Sequence, residues 1–162
     1  MTYNVLAVYT DASVQPKATG LGVAIKDEQG KLIAWRNKGA PAMTCNQAEY
    51  AAVIFALEQA LSYQPLPREV RVFSDSRLVV EQMSGWISVR SPALKSLYRR
   101  ARELADRFER VTYTHIPRER NQLADAIADE AASPPAPPRS AARGICDPLS
   151  RNRTDHFGRG ED

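Results

Sequence analysis

Apolar periodicity changes character at Thr44, and that change limits what the chain can become. Before it, three stretches read as strands: residues 3–10, with the β-branched and aromatic Val5, Val8 and Tyr9, then "LGVAIKD" and "KLIAWRNK". The last two are joined by "EQG", a hairpin signal with glycine near the turn. After it, Tyr50, Ile54, Leu57 and Leu61 fall at helical spacing. Thr44 and Gln47 match a capping box at the start of that helix, and Pro65 and Pro67 end it. "EVRVFS" predicts a fourth strand, followed by a short helix from Asp75 to about Met83. "SPALKSLYRRARELADRF" places Ser91 at an N-cap and Pro92 at the first helical position, with an apolar stripe through Leu94, Leu97, Tyr98, Ala101, Leu104 and Phe108. "RVTYTHIP" predicts a fifth strand, and Asn121 the cap of a last helix carrying Leu123, Ile127 and Ala131. Consecutive strands favour an antiparallel meander, whereas strands alternating with helices favour parallel pairing. The economical fold is α/β: a mixed five-stranded sheet, three antiparallel strands plus two parallel, with helices on both faces.

This periodic region ends near Ala132. Residues 133–162, "SPPAPPRSAARGICDPLSRNRTDHFGRGED", carry clustered prolines and almost no apolar periodicity, so they are expected to be a Pro/Arg-rich disordered tail behind a single domain at 1–132. The net charge of +3 suits an anionic partner without demanding one. Because charge within the domain is nearly balanced, any grip on nucleic acid must come from local placement. Cys45 and Cys146 make neither a disulfide framework nor a metal-ligand spacing, which points to a reducing, cytoplasmic compartment. The start "MTYNVLAVYTDAS" lacks a basic leader and no run reaches the length of a membrane span, so no membrane partner is expected. A monomer is the expected state.

Four acids draw the argument toward chemistry. Asp11 follows the first strand and Asp75 the fourth. If those strands are parallel neighbours, both acids project from one carboxyl edge, where ligands bind in open α/β sheets. Glu49 lies one step from the apolar stripe of its helix, and Asp125 holds a similar place in the last helix. Singly, each has a plain reading as a turn former, a helix cap or a complement to a helix dipole. Together, converging carboxylates repel by on the order of several kcal/mol in a partly buried site, and a divalent cation relieves that repulsion. Oxygen-only donors favour a hard metal, with Mg²⁺ the commonest where phosphate is the substrate. Two such ions about 4 Å apart can activate water and stabilise a leaving oxygen.

The motifs "YTDAS" at 9–13, "TCNQAEY" at 44–50, "SDS" at 74–76 and "NQLADAIADEA" at 121–131 together resemble ribonuclease H type 1, each weak alone and strong in this order. "SRLVVEQMSGW" and "HIPRERNQLAD" are most similar to its compact archaeal-type branch. The resemblance implies an endonuclease that cuts the RNA strand of an RNA–DNA hybrid, leaving a 3′-hydroxyl and a 5′-phosphate. By it, Asp11, Glu49, Asp75 and Asp125 are the metal-binding acids for two Mg²⁺ ions, with Mn²⁺ as a substitute. It implies substrate contacts at Thr44 (a DNA phosphate), Asn46 (the minor groove) and Trp86 (packing on the DNA strand). Ser13 and Ser76, beside catalytic acids, join this set, as does Arg118 for phosphate positioning. Contacts to 2′-hydroxyls are how such a protein tells RNA from DNA.

Three departures stand out. Ala12 replaces the usual Gly, and Cys45 replaces the first Asn of the usual pair. The longer loop with a mobile His is cut to "PRER", leaving Arg118 or Arg120 as candidates for phosphate positioning or product release. His115, inside the fifth strand, reads as structural. A basic protrusion is absent, and Arg99, Arg100, Arg102 and Arg107 read equally as a solvated helix face. Weaker, salt-sensitive binding is the consequence. A 3′–5′ exonuclease of related fold would carry Asp-x-Glu where this chain has Ser13 after Asp11. A non-catalytic hybrid-binding module would be expected to lose acids, and double-stranded RNA or RNA–DNA junctions remain wider substrates for the same enzyme.

Overall fold

The computed structural model describes residues 2–133, so the expected tail lies, from residue 134 on, outside the described residues. Five strands and four α-helices follow the expected order: β1 (Val5–Val14), β2 (Thr19–Lys26), β3 (Leu32–Ala40), α1 (Cys45–Leu61), β4 (Glu69–Ser74), α2 (Arg77–Met83), α3 (Pro92–Ala105), β5 (Arg110–His115) and α4 (Gln122–Ala132). A single 3₁₀ turn, Arg118–Arg120, links β5 to α4. The sheet order is β3-β2-β1-β4-β5. β1, β2 and β3 pair antiparallel, while β4 pairs parallel with both β1 and β5, giving the mixed sheet predicted from periodicity.

The "EQG" turn closes β2 onto β3 with Gly30 at a positive φ of 85°. The Asp27 carboxylate accepts the Gln29 and Lys31 N–H groups across it. β1 runs further than expected, through Asp11 to Val14, because β2 continues alongside after β4 has ended. Asp11 therefore does not terminate the strand; it sits just past the last parallel pair, Thr10 with Ser74.

The two faces of the sheet are covered differently. One buries Leu6, Val8, Leu21, Val23, Ile25, Val70 and Val72 on the α1 side, where α3 packs on α1. α1 lies between the sheet and α3, so its burial extends beyond the Tyr50–Leu57 stripe to Ala48, Ala52, Val53, Phe55, Ala56 and Ala60. A helix apolar on most sides is one covered on most sides. α4 covers the opposite face, above β1, β2 and β3. There it packs Ala124, Ile127, Ala128 and Ala132 inward, and Leu123, expected on the buried stripe, is exposed. The reason is close approach: a Cβ on Gly22 would lie 2.4 Å from the Ala124 carbonyl oxygen, and one on Gly20 1.9 Å from that of Ala128. Among the described residues no helix is long and apolar enough to cross a membrane.

Candidate active site

Parallel pairing of β1 with β4 sends both chains toward one edge of the sheet, and the acids gather there. Carboxylate oxygens of Asp11, Glu49 and Asp75 all lie within 4.8 Å of one another. Asp11 comes from β1, Asp75 follows β4, and Glu49 reaches in from the first turns of α1. The capping box places that turn: Thr44 Oγ1 accepts the Gln47 N–H at 3.3 Å while Gln47 Oε1 accepts the Thr44 N–H at 3.1 Å. Asp75 is not consumed as a helix cap, because Ser76 takes that role for α2 and its Oγ accepts the Val79 N–H.

Asp125, the fourth expected acid, stands outside this close triad but beside it, near enough to help raise the Asp11 carboxyl. Its place follows from the glycine contact, since Gly22 is the antiparallel partner of Asp11 and lies under the first turn of α4.

The triad is costly without a counter-charge. Asp11 is almost fully buried and Glu49 Oε2 has no hydrogen-bond partner. Burial first, then the charge of Asp75, holds the Asp11 carboxyl at about 8. Burial, then the charges of Asp11 and Asp75, holds Glu49 at about 9. Asp75 is raised chiefly by burial, while the Arg118 guanidinium and a hydrogen bond from Asn121 oppose the shift. A buried unpaired carboxylate oxygen within an all-oxygen donor set fits a hard divalent cation.

Around this centre the other expected residues occupy distinct places. Thr44 and Asn46 are exposed on the first turn of α1, and Arg118 is exposed on the 3₁₀ turn. Ser13 is buried two residues beyond Asp11, its Oγ accepting from Gln15 Nε2. Trp86 is 78% exposed. It stands out because α2 ends in a Schellman turn: the Trp86 N–H reaches the Glu81 carbonyl and the Gly85 N–H that of Gln82, with Gly85 at φ 82°. His115 lies in β5 as expected, but it is exposed at the strand end rather than packed.

Sequence reasoning missed three supports. Tyr50, beside Glu49, donates through its buried hydroxyl to Gln82 Oε1 at 2.6 Å, locking α1 to α2. Gly20 and Gly22 were readable from "TGLGVA", where glycines on one face of a strand signal close backbone approach. Asn121 begins α4 but makes no side-chain cap bond; its Nδ2 donates instead to the Thr10 carbonyl.

Known proteins share this architecture. A family model described as "Reverse transcriptase-like" matches residues 9–131. The Bifunctional protein Rv2228c of Mycobacterium tuberculosis is 37% identical over 117 residues, which are 72% of this chain, and the chain spans only 32% of that relative's length. The crystal structure of RNase H1 from the halophilic archaeon Halobacterium salinarum superposes with a TM-score of 0.74 at 32% identity, covering 78% of this chain and 96% of that one. LC11-RNase H1, solved in complex with an RNA/DNA hybrid, gives 0.72 at 33% identity, with the same two coverages of 78% and 96%. Likeness that runs from Tyr9 to Ala131 and nearly fills the solved relatives settles the lineage: the chain belongs to the ribonuclease H type 1 family.

Proposed function

We propose that the chain is an endoribonuclease that hydrolyses the RNA strand of RNA–DNA hybrids, using two divalent ions held by Asp11, Glu49, Asp75 and Asp125. The observation that carries this reading is the convergence of three carboxylates, one with an unpaired buried oxygen, at the sheet edge. It is supported by the family and by LC11-RNase H1, whose structure holds an RNA/DNA hybrid.

Bound Mg²⁺, or Mn²⁺ in its place, would supply water activation and charge stabilisation for an in-line displacement at phosphorus. In that displacement the water oxygen bonds to phosphorus, the bond to the 3′ oxygen breaks, and a proton passes to that oxygen. The products are a 3′-hydroxyl and a 5′-phosphate. The chain's own residues do the holding and aiming. Asp11 and Asp75, fixed at the ends of the parallel ladder, present their carboxylates together, and Glu49 approaches from the α1 side. Arg118 lies close enough to Asp75 to act on its charge, which suits it to drawing a phosphate toward the same edge. Thr44 and Asn46 offer polar groups at an exposed helix start, and Trp86 offers an aromatic face. A monomer acting in the cytoplasm completes the reading.

The test is one RNA sequence offered as hybrid, as double-stranded RNA and as a single strand, with Mg²⁺, with Mn²⁺ and with chelator. Metal-dependent internal cutting of the hybrid is the expected result, and the double-stranded lane fixes the substrate range. Hybrid binding without cutting in any lane would instead make this a binding module. Asp75→Asn should abolish cutting with the fold intact; retained activity removes Asp75 from the site.

A further inference from the structure

We propose that Asn121 is a positioning residue that ties together the segments bearing Asp11, Asp75 and Asp125, and so sets the geometry of the metal centre. The inference rests on the metal-dependent reading above. Asn121 is only 2% exposed, although it begins a helix at the surface of the sheet edge. Its Nδ2 donates to the Thr10 carbonyl at 2.8 Å, and Thr10 is the residue before Asp11. The same carboxamide lies near enough to the Asp75 carboxylate to oppose the rise that burial imposes on it. Its backbone carbonyl accepts the Asp125 N–H at 3.0 Å. One residue thus bonds to the chain beside Asp11 and to the backbone of Asp125, and lies close enough to Asp75 to act on its charge.

The need for such a tie comes from the sheet. Thr10 and Ser74 form the last pair of the β1–β4 ladder, so no ladder bond joins these two strands at Asp11 and Asp75. There the carboxylates repel, and the strand ends would be free to splay. A carboxamide is suited to this place because one nitrogen carries two N–H groups, so that one can hold Thr10 while the other remains for the Asp75 side. Its oxygen is left buried without a partner, a cost that an apolar residue would not carry. Capping does not account for Asn121, because the side chain makes no bond to the turn it precedes.

Two variants separate positioning from folding. Asn121→Leu keeps the branched shape in a larger side chain and removes both donors, while Asn121→Ser shortens the side chain out of reach of Thr10 and Asp75. Mn²⁺ binding by calorimetry without nucleic acid, melting temperature, and kcat and KM on hybrid are measured for each. The Mn²⁺ Kd should rise roughly 10- to 100-fold and kcat fall by a similar factor, as for partners that orient metal ligands. KM should stay within about threefold, since Thr44, Asn46 and Trp86 are untouched. A merely structural role would lower the melting temperature and leave the Mn²⁺ affinity of folded molecules unchanged. Wild-type Mn²⁺ affinity in either folded variant overturns the inference, and so does failure of both to fold. If the wild-type chain binds Mn²⁺ yet cuts nothing, the hydrolytic reading falls while calorimetry still decides the role of Asn121. A wild-type chain that binds no Mn²⁺ overturns both.

Discussion

Against α1 the sheet presents Leu6, Val8, Val23, Ile25, Val70 and Val72, whereas against α4 it presents Gly20 and Gly22. The first face is built of interlocking side chains that bury most of the apolar surface. The second brings backbone to backbone over small side chains, and it decides how far Asp125 lies from Asp11. Stability and geometry are therefore carried on opposite faces of one sheet. The site, at the edge, draws on both: Glu49 arrives on the well-packed side and Asp125 on the thin side.

Substitutions on each face test that division. Leu57, fully buried in α1, should lose about 2–5 kcal/mol of stability when changed to Ala, through lost transfer energy and a cavity. Cleavage per folded molecule should change by less than about twofold, because α1 keeps its cap and its place. A tenfold loss, measured at matched folded fraction, would show that the two functions are not separable. Gly22→Ala should cost about 1–3 kcal/mol, because the new methyl meets the Ala124 backbone, which cannot rotate away. Here cleavage and Mn²⁺ affinity of the folded protein should both fall roughly tenfold as α4 is pushed outward. Unchanged metal affinity in folded Gly22→Ala would mean that Asp125 contributes nothing to binding.

The edge itself is expected to oppose stability. Asp11 and Glu49 have folded pKa values raised above those of the unfolded chain. The stability they contribute as neutral acids is complete below the ordinary carboxylate value near 4 and is lost as pH rises through the raised values. Asp11→Asn should accordingly abolish cleavage while stabilising the metal-free protein at pH 8 by about 1 kcal/mol. A lower melting temperature in chelator would contradict the repulsion described at this edge. The smallest effect is on the wild type: its metal-free melting temperature should drift down by a few degrees between about pH 5 and 9, and the gain on adding Mg²⁺ should grow over that range. A gain independent of pH would show that the acids do not share the ion.

Most of the fold was readable because its elements announce themselves locally. Periodicity, the Thr44–Gln47 box and Ser91–Pro92 each act within a few residues, and all appear where expected. What escaped depends on partners far along the chain. Asp11 reads as a strand end because nothing in "YTDAS" shows that β2 runs on beside it. Asn121 reads as a cap because Asn favours caps, but its amide is engaged by Thr10, 111 residues away. Leu123 was assigned inward by helical spacing, yet α4 must turn its small residues to the glycines. The acids were legible as a set by their order, and their spacing in three dimensions was not.

The Schellman turn at the end of α2 has an optical consequence. The chain holds two tryptophans, Trp35 on the edge strand β3 and Trp86 on that turn. Trp86 is the more exposed, and its stem is fixed by hydrogen bonds of the backbone rather than by packing of the ring. Its emission therefore reports the solvent around one defined point of the surface. A chain with Trp35→Phe would carry its single tryptophan there, able, on selective excitation, to register the arrival of a polynucleotide before any bond is cut.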